Sequence, residues 1–183
     1  MSTREPCFTL VVTGASGTGK TAAVRALATR AVPGVACFHF DTIGVPSPEV
    51  MLRDFGGGET WQAWATNQWL DRLERIDPEV RVAVLDGQTR PSFILTSAAG
   101  RTPRNRQVGV VLLDCERSVR EERLRTERQQ PELVTEQMQT WAAYLRGQAH
   151  ALGLAIVDTT ALSIAEVADR LQEIVRRYVC SKS

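Results

Sequence analysis

Five short runs of apolar residues recur along the chain. Each run has few polar interruptions and is rich in Val, Ile, Leu or Phe, a pattern typical of strands that are buried on both faces. We predict strands at residues 8–13, 35–40, 81–85, 108–113 and 154–157.

The segments between these runs have helical periodicity. A helix is predicted over residues 20–31, and another begins after Thr135, whose side chain suits an N-cap. The last helix starts with capping-box spacing, Ser163 to Glu166. Strands that alternate with helices favour a parallel sheet with right-handed crossovers and helices on both faces. The expected fold class is therefore α/β, with ligands bound at the carboxyl ends of the strands.

Composition narrows the class of protein. The 183 residues, 43% of them hydrophobic, suit one domain with a buried core. The formal net charge of +1 gives no general attraction to nucleic acid or anionic membranes. No apolar run approaches the roughly 20 residues of a membrane span, and residues 1–6 do not resemble a signal peptide. The scattered cysteines argue against a zinc or disulfide framework: Cys7, Cys37, Cys115 and Cys180. We expect a cytoplasmic protein that binds neither nucleic acid nor membrane.

The most specific motif follows the first predicted strand. Residues 14–21 are a full match to GxxxxGK[ST]. Glycines let the backbone wrap with its N–H groups pointing inward, which creates an anion site at a helix N-terminus. In this motif Lys20 reaches the β- and γ-phosphates and Thr21 ligates Mg²⁺. We therefore predict that a nucleoside triphosphate is bound by Gly14, Ala15, Ser16, Gly17, Thr18, Gly19, Lys20 and Thr21.

Two aspartates follow apolar runs. Asp41 comes after the second run. Its carboxylate has two possible interpretations: it accepts the proton of an attacking hydroxyl, or it belongs to an ordinary turn or N-cap residue. Asp86 comes after the third run and is typical of a Walker B carboxylate that holds Mg²⁺, directly or through water. Gln88 and Arg90 follow. One interpretation is that Arg90 binds the acceptor or the phosphoryl group that is transferred. The other is that Arg90 is a solvated arginine.

Two further segments are expected to border the site. Arginines are concentrated in residues 116–131, where a lid would bring positive charge to the γ-phosphate, although several can simply pair with nearby glutamates. Residues 46–76 contain three consecutive glycines, which we interpret as a hinge, and three tryptophans. Trp61 and its neighbours either form a stacking wall for a substrate or belong to the core face of a helix.

Together these features resemble the small P-loop kinases, which include shikimate and gluconate kinases, chloramphenicol phosphotransferase and nucleoside or nucleotide kinases. The resemblance extends over most of the chain, and its specific part is the phosphate loop. It implies a three-layer P-loop NTPase fold in one domain, residues 1–183, with a five-stranded parallel sheet in the order 2-3-1-4-5. It also implies a substrate-binding insertion at residues 42–76 and a short lid at residues 116–131.

The resemblance also implies roles for individual residues. Asp41 is similar to the base at the strand end of chloramphenicol phosphotransferase, and Arg123 resembles the lid arginine that packs on adenine. Shikimate kinases have a lid arginine directly before a proline; this chain has Gln130 there, and Arg128 is the nearest substitute. Shikimate kinases also carry a second acid where this chain has Ile43, which disfavours shikimate as the acceptor.

We therefore expect an enzyme that transfers the γ-phosphate of Mg-ATP to a hydroxyl of a small metabolite, nucleoside or drug. In this hypothesis Lys20 and Arg128 stabilise the γ-phosphoryl group, Asp41 is the base, and Thr21 and Asp86 hold Mg²⁺. The candidate acceptor-binding residues are Asp41, Arg53, Trp61, Gln88 and Arg90.

Two alternatives stay open. A nucleoside monophosphate kinase would use Arg53, Arg72 and Arg90 around the acceptor phosphate. A non-catalytic or regulatory ATP-binding module needs no acceptor site. The absence of an Asn-Lys-x-Asp guanine-binding sequence argues against a GTPase. We expect either a monomer or a homodimer.

Overall fold

The computed structural model describes residues 7–100 and 106–179. The expectations that concern residues 1–6 and Cys180 lie outside these ranges. Within them the strands form a single parallel sheet in the order β2-β3-β1-β4-β5, which confirms the order implied by the resemblance. The strands are β1 Cys7–Thr13, β2 Val35–His39, β3 Val82–Asp86, β4 Arg106–Asp114 and β5 Ala155–Asp158.

Helices connect the strands and cover both faces of the sheet. In the described ranges they are α1 Lys20–Thr29, α2 Pro48–Phe55, α3 Gly58–Glu74, α4 Pro91–Ala99, α5 Arg117–Arg125, α6 Glu136–Ala151 and α7 Ile164–Val179. Short 3₁₀ turns follow β2 at Phe40–Ile43 and precede α6 at Pro131–Leu133. None of the helices in residues 7–100 and 106–179 has the length and apolarity that a membrane crossing requires.

Alternate residues of the central strands pack against different helices. Phe8, Leu10 and Val12 of β1 pack in one core cluster with apolar residues of α1 and α7. Val11, between them, faces the opposite side and packs with Ile94 of α4. This period of two places a hydrophobic layer on each side of the sheet, as a three-layer α/β fold requires.

The helix starts that the sequence predicts are present. The Thr135 side chain accepts a hydrogen bond from the Met138 N–H at 3.1 Å. At the start of α7 the Ser163 N–H donates to Glu166 Oε2 at 2.8 Å, and the Glu166 N–H donates to Ser163 Oγ at 3.3 Å. These reciprocal contacts form the predicted capping box.

The tryptophans of α3 have different environments. Trp61 and Trp69 are buried in a core cluster with Phe40, so both belong to the core face of the helix. Trp69 Nε1 also donates to the Phe40 carbonyl at 2.9 Å, which fixes the 3₁₀ turn after β2. Trp64 is 43% exposed and packs beside Phe55 of α2.

The cysteines whose side chains are described form no disulfide. Cys7, Cys37 and Cys115 are free thiols. Burial raises the pKa of Cys37 to about 11 and also raises the pKa of Cys115, so both are protonated at neutral pH.

Candidate active site

The phosphate loop occupies the turn between β1 and α1. Its glycines have backbone conformations that other residues rarely adopt: Gly14 has φ +151° and Gly17 has φ +84°. A Cβ on Gly14 would lie 2.2 Å from the Leu113 carbonyl oxygen, and one on Gly17 would lie 2.9 Å from the Arg120 carbonyl oxygen. Glycine is therefore required at both positions, for conformation and for space.

Lys20 begins α1 and is buried beside the loop. Its ammonium donates to the Ala15 carbonyl at 2.8 Å. Burial lowers the pKa of Lys20 to about 8; the negative charges of Asp86 and Asp41 oppose this shift, and the positive charge of Arg128 adds to it. The ammonium is thus a poorly hydrated cation within the electrostatic range of three other charged groups, Asp86, Asp41 and Arg128, which suits it to an anionic ligand.

Asp86 ends β3 and is almost fully buried. His39 is paired with it in the strand register, and His39 Nδ1 donates to Asp86 Oδ1 at 2.9 Å. The other carboxylate oxygen, Oδ2, is buried and has no hydrogen-bond partner among the described residues. A buried carboxylate oxygen without a partner is costly unless a ligand completes its surroundings.

This orphaned oxygen fits the predicted magnesium site. Mg²⁺ prefers oxygen ligands, binds few protein groups and keeps several waters or phosphate oxygens. Asp86 Oδ2 supplies a carboxylate oxygen, and Thr21 supplies a hydroxyl in the cleft beside Lys20. The donor set is therefore compatible with Mg²⁺.

A cleft of about 440 Å³ opens over the phosphate loop. Besides Gly17 and Gly19 of the phosphate loop, its lining includes five more of the residues that the sequence singled out, Lys20, Thr21, Asp41, Arg123 and Arg128. They come from α1, the 3₁₀ turn after β2, and the segment from α5 onward. The fold thus brings the predicted phosphate-binding lysine, the predicted base and two lid arginines to one cavity.

Two arginines of α5 connect the expected lid to the loop. Arg123 donates to the Thr159 hydroxyl at 3.0 Å and to its carbonyl at 2.8 Å, and the Thr159 hydroxyl donates to the Thr18 carbonyl at 3.1 Å. Arg120 is buried beneath the loop, where it donates to the Cys115 carbonyl and packs against Gly17. Sequence reasoning left Arg120 among the arginines of residues 116–131, which either bring charge to the γ-phosphate or pair with nearby glutamates, and it missed this supporting position.

A second cavity, of about 590 Å³, lies beside the loop. The predicted residues Gln88 and Arg90 line it. Gln88 Oε1 accepts a hydrogen bond from Ser16 Oγ of the phosphate loop at 2.9 Å, so one lining residue of the cavity contacts the loop. Glu59 and Gln62 of α3, which the sequence did not single out, both bind the Arg90 guanidinium.

The structure does not bring two predicted acceptor residues to either cavity. Arg53 has a side chain that is 72% exposed and forms an ion pair with Asp54 on the surface of α2. Trp61 is in the core, clustered with Phe40 and Trp69. Neither residue is part of the lining of the two cavities.

His39 is another residue that sequence reasoning missed. Its position at the end of β2 carried a usable signal, because the sheet order 2-3-1-4-5 makes β2 and β3 neighbours. Two strands that end together place their last residues side by side. His39 and Asp86 meet for that reason.

The structure is similar to a set of solved structures that includes several kinases. Shikimate kinase from Acinetobacter baumannii aligns with a TM-score of 0.60 and 17% identity, covering 94% of this chain and 93% of that chain. Thymidylate kinase from Candida albicans aligns with a TM-score of 0.62 and 12% identity, covering 96% and 93%. The tunicamycin resistance protein of Deinococcus radiodurans gives a TM-score of 0.62 at 19% identity, covering 94% and 96%. At these identities the likeness establishes the shared α/β fold.

No protein-family model matches the sequence, and no curated protein matches it either. The assignment of chemistry therefore depends on the residues of the site.

The packing of the loop predicts how glycine substitutions behave. Gly17→Ala introduces a Cβ at an unfavourable φ and against Arg120, so we expect the free energy of unfolding to fall by about 1–3 kcal/mol. Gly147→Ala is the matched control, because it lies in α6 and the added Cβ would meet no atom within 4 Å other than its chain neighbours and the nearby backbone of its own helix. It should raise stability by about 0.5–1 kcal/mol. Urea unfolding of both variants measures these changes; equal stability of the two would contradict the packing.

Proposed function

We propose that the protein is an ATP-dependent phosphotransferase that transfers the γ-phosphate of Mg-ATP to a hydroxyl group of a small molecule. The observation that carries the proposal is the cleft in which Lys20, Thr21, Asp41 and Arg128 meet beside a glycine-rich loop. A nucleotide site needs only the lysine and the hydroxyl. The carboxylate and the lid arginine are the additional groups that phosphoryl transfer requires.

The loop and Lys20 would bind the triphosphate. The amides of residues 14–19 and the N-terminus of α1 favour negative charge. Lys20 would exchange its contact with the Ala15 carbonyl for phosphate oxygens. Arg123 and Ile164 line the same cleft, and we assign them to the adenine end of the nucleotide.

Thr21 and Asp86 would hold Mg²⁺ through their hydroxyl and carboxylate oxygens. Bound there, the ion neutralises phosphate charge and orients the transferred group. His39 fixes the Asp86 carboxylate through the contact to Oδ1, so that Oδ2 is the oxygen left for a ligand.

Asp41 would accept the proton of the acceptor hydroxyl. The hydroxyl oxygen attacks the γ-phosphorus, the bond to the bridging oxygen breaks, and ADP leaves. Arg128 is suited to the charge on the transferred phosphoryl group. It lines the cleft, and Lys20 experiences its positive charge, whereas Arg123 is already bound to Thr159.

The observations favour this function over a nucleoside monophosphate kinase. That activity needs several arginines around the acceptor phosphate. Arg53 pairs with Asp54 at the surface, Arg72 packs over the ring of Trp69, and Arg90 is bound by Gln62 and Glu59. The observations give no specific support to a regulatory ATP-binding module. Such a module needs no acceptor site, whereas the second cavity beside the loop offers room for an acceptor.

We further propose that the enzyme acts in the cytoplasm, as a monomer or a homodimer, without nucleic acid or a membrane as partner. The balanced net charge of +1 and the free thiols of the described cysteines support this setting.

A screen of hydroxylated small molecules with Mg-ATP tests the proposal. Mass spectrometry should detect one or more acceptors that gain a single phosphate. ATP hydrolysis that responds to a protein partner and to no small molecule would instead favour a regulatory module.

The assignment of the base predicts the effect of Asp41→Asn. Loss of the carboxylate should lower kcat by roughly 10²-fold or more while ATP affinity changes little, because the carboxamide cannot accept the proton. Asp169→Asn, at an exposed position of α7, is the control and should keep full activity. Steady-state kinetics with an acceptor from the screen measures both variants. Full activity of Asp41→Asn would contradict the role of this residue.

The choice between the lid arginines also gives a prediction. Arg128→Gln should reduce kcat by roughly 10²-fold with a small change in the KM for ATP, because its charge acts mainly on the transition state. Arg125→Gln removes an exposed arginine of the same segment that pairs with Glu121, and it should have little effect. Equal losses in the two variants would show that only the overall charge of the segment matters.

A further inference from the structure

The cavity beside the loop differs from the cleft in its charge. Of its charged lining residues, Glu59 and Glu132 are acidic and Arg90 is basic. Much of the rest is apolar or aromatic, including Leu133, Met138 and Trp141. An acceptor bound here would meet one guanidinium, two carboxylates and several apolar side chains.

The Arg90 guanidinium is already occupied by groups of the protein. Its Nη1 donates to Gln62 Oε1 at 2.7 Å and its Nη2 donates to Glu59 Oε2 at 3.1 Å. The central carbon lies 4.9–5.8 Å from three ring centres, those of Trp141, Phe93 and Tyr144. Its side chain is only 17% exposed. Two of the five N–H donors of Arg90 are therefore taken, and the Glu59 carboxylate already offsets its charge, so this guanidinium binds a phosphate or a carboxylate less strongly than a free one would.

One wall of the cavity is a pair of stacked aromatic rings. The ring centres of Trp141 and Tyr144 lie 5.5 Å apart, with an angle of 21° between the planes. Tyr144 is 43% exposed although it lines a cavity, and its hydroxyl accepts a hydrogen bond from Gln148 Nε2 at 2.6 Å. The hydroxyl is thus held, and the ring presents apolar surface for a ligand. Aromatic rings favour stacked or edge contacts with other rings.

We infer that the acceptor is a hydroxylated molecule with a flat ring and without a phosphate or carboxylate, bound with its ring near Trp141 and Tyr144. Its hydroxyl would lie toward Gln88, the lining residue that contacts Ser16 of the phosphate loop. The excess of carboxylates favours a neutral or cationic molecule. The identification of this ligand as the phosphoryl acceptor rests on the proposed function, whereas its binding does not.

Three phenols of similar size test the inference through their charge. Tyramine is a cation, tyrosol is neutral, and para-hydroxyphenylacetate is an anion. The protein is titrated with each to about 10 mM, a range suited to ligands of so few atoms. The indole N–H NMR signal of Trp141, assigned with Trp141→Phe, reports binding. Tyramine and tyrosol should bind at least about tenfold more tightly than the anion.

Variants locate the binding and test the role of Arg90. Tyr144→Ala should weaken tyrosol binding by about tenfold, as expected for loss of a ring contact. Leu152→Ala removes an equally exposed side chain at the end of the same helix, outside the cavity, and should change nothing. Glu59→Gln should strengthen binding of the anion by about three- to fivefold, because it removes a negative charge beside the Arg90 guanidinium.

Each of three results would overturn the inference: no binding of any phenol, binding of the anion as tight as that of tyrosol, or unchanged tyrosol binding in Tyr144→Ala. Titration of the same samples with Mg-ATP separates this failure from failure of the proposed function. If Mg-ATP binds and is turned over with some acceptor but the phenols fail, the substrate class is wrong and the enzyme class stands. If the phenols bind as expected but no hydroxyl compound gains phosphate, the cavity is a ring-binding site and the phosphotransferase is wrong.

Discussion

The burial of one ammonium group beneath a glycine-rich turn is the constraint on which the site depends. Lys20 is 7% exposed, and its charged form is destabilised by loss of water, as its lowered pKa shows. The Ala15 carbonyl and the charge of Asp86 compensate only in part. A triphosphate would supply the missing negative charge. The buried oxygen Oδ2 of Asp86 has the opposite charge and no hydrogen-bond partner among the described residues. A bound cation would supply the partner that it lacks.

The parallel sheet makes this arrangement possible because its strands end at one edge. His39 ends β2, Asp86 ends β3 and the phosphate loop follows β1, and these three strands are adjacent in the sheet. Helix α5, in the segment expected to be a lid, follows β4 on the other side and is connected to the loop through the Arg123–Thr159 contacts. Two cavities result, one with basic residues over the loop and one with aromatic and acidic residues beside it. This division suits a reaction between a highly anionic donor and an acceptor without an anionic group.

The sequence predicted the features that local rules determine. The loop motif, the strand order carried by the resemblance and the capping box of α7 depend on short segments or on a known fold, and the structure contains all three. The contacts of His39 and Arg120 were missed because they join segments far apart in the chain. The acceptor side was the hardest to predict. Successive helical residues point about 100° apart, so Trp61 enters the core while Gln62 reaches Arg90.

Calorimetric titration of the purified protein with Mg-ATP tests the central claim most directly, with Lys20→Met as the comparison. The account predicts saturable binding of one ATP per chain to the unaltered protein, and at least about tenfold weaker binding to Lys20→Met, because the neutral side chain cannot contact the phosphates. Circular dichroism should confirm that both proteins are folded. Absence of binding to the folded, unaltered protein, or equal affinity of the two proteins, would contradict the account.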